Sequence, residues 1–285
     1  PVLVPGTVRG GPRGDVVNGL DPTTPDAGDV LLSVSDLDLG FGGLSVLRDV
    51  GFEARRGEML AIIGPNGAGK TSLFNCLNGV YRPDAGQILL QGTELIGRRP
   101  SDIASMGVAR TFQNLALFPN LDVIDNLMLG RHHLMSTGVL GGMAWIGRAR
   151  REERVHRARC LETVELLGLG AHLGRPVGGF PYGVQKRIEL GRALVMEPTL
   201  LLLDEPVAGM NAEETGDMAR AVLHVEAELG ITMILVEHDM HLVMDLARRI
   251  VVLSFGEVIA VGTPAEVAAN PLVIEAYLGH EASSQ

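Results

Sequence analysis

Only two cysteines occur in the 285 residues, Cys76 and Cys160. That argues against a disulfide framework, and the apolar neighbours of Cys76 predict a buried thiol in a reducing cytoplasm. No apolar run approaches the roughly 20 residues a membrane-spanning helix requires, so any membrane part must be borrowed from other chains. Positive charge is in deficit, with 24 Lys and Arg against 34 Asp and Glu for a formal net charge of −10. This excludes a general nucleic-acid binder and simple adhesion to anionic lipid. Residues 1–29 carry no cationic start followed by a hydrophobic stretch; rich in Pro, Gly, Asp and Thr, they read as a disordered tail and not as a secretory signal. His132 and His133 lack a spaced set of further ligands, so no metal site is expected there. No internal repeat is evident.

Against these absences stands one dense piece of chemistry. The strand-like run Met59–Ile63 delivers the chain into Gly64-Pro65-Asn66-Gly67-Ala68-Gly69-Lys70-Thr71, after which a helix is predicted to run to about Gly79. Glycines at 64, 67 and 69 permit close approach of the backbone, so that successive N–H groups at a positive helix end face phosphate oxygens. In such a loop Lys70 reaches the β- and γ-phosphates of ATP, the Thr71 hydroxyl binds Mg²⁺, and Ser72 reaches the α-phosphate. A second segment, Leu200-Leu201-Leu202-Leu203-Asp204-Glu205-Pro206, reads as a strand buried on both faces that ends in two carboxylates. Ligands of parallel sheets bind at such strand ends. Asp204 is the expected Mg²⁺ holder, through water, and Glu205 the general base that orients the attacking water.

Elsewhere along the chain stand Phe41-Gly42-Gly43, the stretch from Val108 through Arg110, Gln113 and Phe118 to Leu127, the run FPYGVQKRIELGRAL over 180–194, Ala208-Gly209-Met210-Asn211, Val236-Glu237-His238-Asp239, and the ending NPLVIEAYLG. This ordered set spans residue 30 to the C-terminus and resembles the ATP-binding cassettes of ABC transporters, the branched-chain amino acid importer subfamily in particular. The resemblance implies an α/β fold: a P-loop, RecA-like core with a mostly parallel sheet, an antiparallel β subdomain and an inserted helical subdomain at about 114–183. It divides the chain into a tail at 1–29, a cassette at 30–262 and a short C-terminal helical appendage at 263–285. It implies Phe41 as the ring stacked on adenine, Gln113 as a sensor touching both the metal shell and the attacking water, and His238 as a switch on the γ-phosphate. Read singly, Phe41 is also a plausible core or turn residue, and His238 a satisfied histidine at a strand end.

Two departures from the family pattern stand out. Where relatives carry LSGGQ, whose serine and glycine meet the γ-phosphate of a nucleotide held by a second cassette, this chain has Phe180-Pro181-Tyr182-Gly183-Val184. The serine hydroxyl is gone, and the expected trans contact falls to Tyr182, Gly183 and the backbone of the helix that follows. The SALD loop likewise becomes Ala208–Asn211.

The implied function is the ATP-hydrolysing subunit of an importer for branched-chain amino acids or related small solutes. Its implied partners are integral membrane permease subunits, a second cassette of the same or a related chain and, indirectly, an extracytoplasmic solute-binding protein, with no nucleic acid; its place is peripheral, on the cytoplasmic face of the plasma membrane. The alternatives are the ATPase of an exporter of lipid-like cargo and a soluble cassette outside transport. Between the motifs, short strands are expected from Leu31, helices over 122–131, 148–167, 213–229 and 239–246, and strands over 87–91, 231–236 and 250–253. The basic run 148–159, with Glu152 and Glu153 interleaved, reads as a solvated helix face, lipid or permease contact being the alternative. Trp145 is assigned to burial between helices or to the permease contact.

Overall fold

Hydrophobic alternation, and the places where it is interrupted, decide the first layer. The computed structural model describes residues 30–111, 115–134 and 148–283; the tail at 1–29, Gln113 and Trp145 with the Gly-rich stretch around it lie outside these. The chain opens with β1 (Val30–Phe41) and β2 (Leu44–Arg55), an antiparallel pair of 12 residues each where short strands were expected. Bulges explain the difference: the register slips between Val34 and Leu37 and between Leu37 and Leu39, and Asp36 takes a left-handed φ of 51°. Each slip breaks the alternation that a sequence reader follows, while the strand continues. Gly42 and Gly43, both at positive φ, close the hairpin as a tight two-residue turn and place Phe41 at its tip.

There follow β3 (Met59–Ile63), α1 (Lys70–Leu77), β4 (Ala85–Leu90), β5 (Thr93–Glu94), α2 (Pro100–Ser105) and β6 (Val108–Arg110). Helices α3 (Val123–Gly130) and α4 (Arg148–Leu166) then precede α5 (Tyr182–Leu194). The remainder is β7 (Leu200–Asp204), α6 (Ala212–Leu229), β8 (Thr232–Val236), α7 (Met240–Leu246), β9 (Arg249–Ser254), β10 (Glu257–Gly262), α8 (Pro264–Ala268) and α9 (Pro271–Ser283).

Two sheets result. An antiparallel one runs β2-β1-β4-β5, and a six-stranded one runs β10-β9-β3-β8-β7-β6. In the latter every pairing is parallel except β9 with β10. Its central strands β3, β7 and β8 are buried at every position, as continuous apolar runs covered on both faces should be. Leu60, Ile62 and Leu202 pack toward α1 and the antiparallel sheet; Leu201, Leu203 and Leu235 pack toward α5, α6 and the helices before them. Cys76 and Cys160 are both buried free thiols, and burial pushes them up to about 12 and about 11 respectively, so neither is a nucleophile near neutrality. The helical segment beyond 262 packs onto the core: Val267 and Val273 are buried, with Tyr277 beside them, in a third apolar layer against Ile63 and Val252. Among the described residues no helix is long and apolar enough to cross a membrane.

Parallel strands bring their carboxyl ends to one edge. There β3 runs out into Gly64, β7 into Glu205, β8 into Glu237 and β6 into Thr111.

Candidate nucleotide site

The loop between β3 and α1 is shaped by what lies against it. Gly64 has φ 151°, and a Cβ there would stand 2.0 Å from the carbonyl oxygen of Leu253 on β9, a clash no rearrangement short of moving the strand relieves. The turn that follows β9 pins the loop again: Gly256 N–H donates to Ala68 O at 3.1 Å and its carbonyl accepts from Arg48 N–H at 2.8 Å. Helix α1 opens on Gly69 with no side chain capping it, leaving its first N–H groups for an anion. Lys70 is buried and turns back on its own loop, donating to Gly64 O at 2.6 Å and Pro65 O at 3.0 Å. Burial holds its pKa below the ordinary lysine value, with the charge of Glu205 pulling the other way. Asn66 to Ser72 and Glu205 line one cleft of about 300 Å³, so the phosphate loop and the general base expected from separate motifs meet in one place.

Asp204 ends β7 almost wholly buried, and its carboxylate does not stand alone. Arg110, at the end of the neighbouring strand β6, donates to its Oδ2 at 2.6 Å, with the two side chains 10% and 4% exposed. The same guanidinium donates to Asn75 Oδ1 of α1 at 2.8 Å and lies 5.6 Å from the centroid of the Phe74 ring. Arg110 thus ties the phosphate-loop helix to the carboxylate expected to serve the metal. Sequence reasoning quoted this residue only as part of a motif; a cation closing a strand that adjoins β7 was the available signal. Glu205 sits at φ 46°, its N–H donating to Val236 O at 2.9 Å, so strand β8 holds the expected base in place.

At the end of β8 the chemistry divides between neighbours. His238 exposes 62% of its side chain, while Glu237 is fully buried. Glu237 accepts from Val207 N–H at 3.2 Å and from His238 N–H at 3.0 Å. It therefore ties the segment after Pro206 to the histidine, a role sequence reading missed because Glu237 passed as a spacer within its motif. Burial raises its pKa above the ordinary carboxylate range, and these backbone donors oppose the shift. Phe41 is about half exposed and meets Tyr81 edge to face, ring centroids 5.1 Å apart, which leaves a face for a base to stack on.

The Tyr182–Gly183 region is organised from outside its own helix. Pro181 caps α5 without any side-chain hydrogen bond and no acidic residue stands in the first turn. The Gly183 N–H, expected to await a partner's nucleotide, donates to Glu214 Oε1 of α6 at 3.0 Å. Glu214 was not singled out from the sequence. Gln113 lies outside the described residues.

With this geometry in hand, likeness to other proteins has a structural meaning. Residues 47–208 match the family described as ABC transporter, and residues 257–283 match the one described as Branched-chain amino acid ATP-binding cassette transporter. LivG of Salmonella typhimurium, a high-affinity branched-chain amino acid transport ATP-binding protein, is 42% identical over 249 residues, 87% of this chain and 98% of its own. BraF of Pseudomonas aeruginosa, which carries the same description, is 40% identical over a stretch of equal coverage. Among solved structures, the ADP conformation of MJ1267, an ATP-binding cassette of an ABC transporter, aligns with a TM-score of 0.76 at 28% identity, over 88% of this chain and 99% of that one. The match spans both sheets and the C-terminal layer: the chain belongs to the family of ABC transporter ATP-binding proteins.

Proposed function

We propose that this protein is the ATP-binding and ATP-hydrolysing subunit of an ABC importer, powering uptake of branched-chain amino acids or related small solutes through separate membrane permease subunits. The observation that carries the hydrolytic half is the single cleft that joins the uncapped start of α1, Lys70 and Glu205. The end-to-end likeness to LivG and the matching C-terminal segment support the importer half, and favour it over an exporter or a soluble cassette.

The residues divide the work by chemistry. Backbone N–H groups from Gly67 to Thr71 receive phosphate oxygens, and Lys70 exchanges its two carbonyl partners for them. Thr71 and Asp204, with the Gln113 amide, offer only oxygen donors, the set that a hard cation such as Mg²⁺ prefers. Asp204, already charge-balanced by Arg110, fits a role through water. When bound, the ion neutralises charge between phosphate oxygens. Glu205 takes the proton of the attacking water, and His238, exposed at the neighbouring strand end, faces the terminal phosphate. Phe41 stacks on the adenine. Two cassettes close on two nucleotides, with Tyr182 and Gly183 of one meeting the nucleotide of the other. Closure and reopening move the permease, so the protein works peripherally at the cytoplasmic face of the membrane; a solute-binding protein on the far side would deliver cargo.

Glu205→Gln tests the hydrolytic reading. ATP binding, followed with a fluorescent analogue, stays within a few-fold of the parent, while steady-state turnover falls by about 100-fold or more. Near-normal turnover removes Glu205 as the base. Labelled leucine uptake by the assembled transporter, lost in the same variant, tests the cargo.

A further inference from the structure

Helix α5 begins with an anion already in place. Its cap residue is Pro181, which has no side-chain oxygen, and the serine of related sequences is absent, so no cap side chain serves the start of this 13-residue helix; the Val184 and Gln185 N–H groups turn back to Pro181 O, which leaves Gly183 N–H to be met from elsewhere. Glu214 reaches in from α6: Oε1 accepts from Gly183 N–H at 3.0 Å and Oε2 accepts from Asn211 N–H at 3.2 Å. The carboxylate sits directly on the glycine, since a Cβ at Gly183 would fall 2.9 Å from Glu214 Cγ and 3.1 Å from Oε1. The surrounding loop is packed to match, with the Tyr182 ring lying over Gly209: a Cβ there would be 3.6 Å from it. Glu214 is itself only partly buried, so its side chain has somewhere to go.

We propose that the Glu214 carboxylate occupies, within one protomer, the position at the start of α5 that the terminal phosphate of a partner-bound nucleotide takes when two cassettes meet. This rests on the two-cassette reading above. Two anions cannot share one N–H and one positive helix end, so closure requires Glu214 to swing aside. Asn211 lies in the same loop and keeps one carboxylate oxygen in its cap, so release of Gly183 leaves Glu214 anchored to α6. The strength of the Gly183 contact then sets how much ATP is needed to bring the protomers together. The chain that lost the family's serine thereby gains a competitor for the nucleotide, which raises the threshold for closure.

The test compares Glu214→Gln with Glu214 intact, both in the Glu205→Gln background that suppresses turnover, following association by sedimentation velocity as ATP is raised. Glu214→Gln keeps the shape and an acceptor oxygen but loses the charge, and the ATP needed for half-association falls about 3- to 10-fold. Glu214→Ala shifts in the same direction, and serves if the glutamine variant melts early. A fluorescent nucleotide titrated onto dilute monomer binds all three chains alike, which separates this effect from a change at the phosphate loop. An unchanged or higher ATP requirement overturns the proposal, because a purely structural tie between α5 and α6 would give that result. Failure of every chain to associate, with ATP bound to each monomer, instead defeats the two-cassette reading and takes this inference with it.

Discussion

The starts of α1, α2 and α5 lack a side-chain cap, and the first and last of these are both expected to meet phosphate, yet those two are prepared in opposite ways. Helix α1 follows Gly69, and the charge beside it is Lys70, folded back onto its own loop carbonyls. Helix α5 follows Pro181, and the charge beside it is the carboxylate of Glu214. By contrast α3, α6, α7 and α8 are closed by Asp122, Asn211, Asp239 and Thr263, the residue types that normally satisfy the first turn. A missing cap alone does not mark a place where the fold leaves backbone donors for another group, since α2 after Arg99 is uncapped too; what sets α1 and α5 apart is the charged side chain held beside each start. The sign of the neighbouring charge separates the start proposed to take a nucleotide within its own chain from the one proposed to give up an internal anion first.

The contrast can be broken most forcefully at the charges that support the open start. Asp204→Ala strands Arg110, 10% exposed, without its carboxylate, and should lower the unfolding free energy of the nucleotide-free protein by about 3–5 kcal/mol in urea titration. Adding Arg110→Met should restore much of that; a loss below about 1 kcal/mol in the single variant shows the pair to be dispensable. Gly64→Ala forces a methyl against Leu253 O and should cost about 1–3 kcal/mol, with nucleotide affinity down at least about tenfold as the loop is displaced. Unaltered nucleotide binding would mean that the loop does not depend on that close approach.

The smallest effect sharpens the other side, where Glu237 holds the segment leading to Glu214. Burial makes the folded protein keep the Glu237 proton to higher pH than the unfolded chain does. Its contribution is thus complete below the ordinary carboxylate value of about 4.3 and is lost as pH rises through the raised one. Glu237→Gln stays neutral throughout, so its stability relative to the parent should climb between about pH 4 and neutrality. A constant or falling difference in urea midpoints contradicts the assignment.

Much of this was legible in the residues. The phosphate loop, the buried leucine strand ending in Asp204 and Glu205, and the alternation of helices with parallel strands are written in local spacing, and the six-stranded sheet follows them. What escaped are contacts between distant parts of the chain. Arg110 and Asp204 are separated by 94 positions, Gly183 and Glu214 by 31, Val207 and Glu237 by 30. Sheet order brings the first and third pairs together and the packing of α5 on α6 the second, and no periodicity reports either. The long β1 and β2 escaped for the local reason that their bulges erase the two-residue rhythm.

Leu253 and Gly256, which press on the phosphate loop and clasp Ala68, are made nearly two hundred residues after the loop itself. During synthesis the glycine-rich segment therefore emerges well before this wall. A product ending before β9 carries every residue of the motif but lacks this wall, keeping only the β2 side, where Val46 and Leu47 lie against Gly69. Competence to grip a triphosphate in the proposed site is thereby tied to β9 as well as to the motif itself.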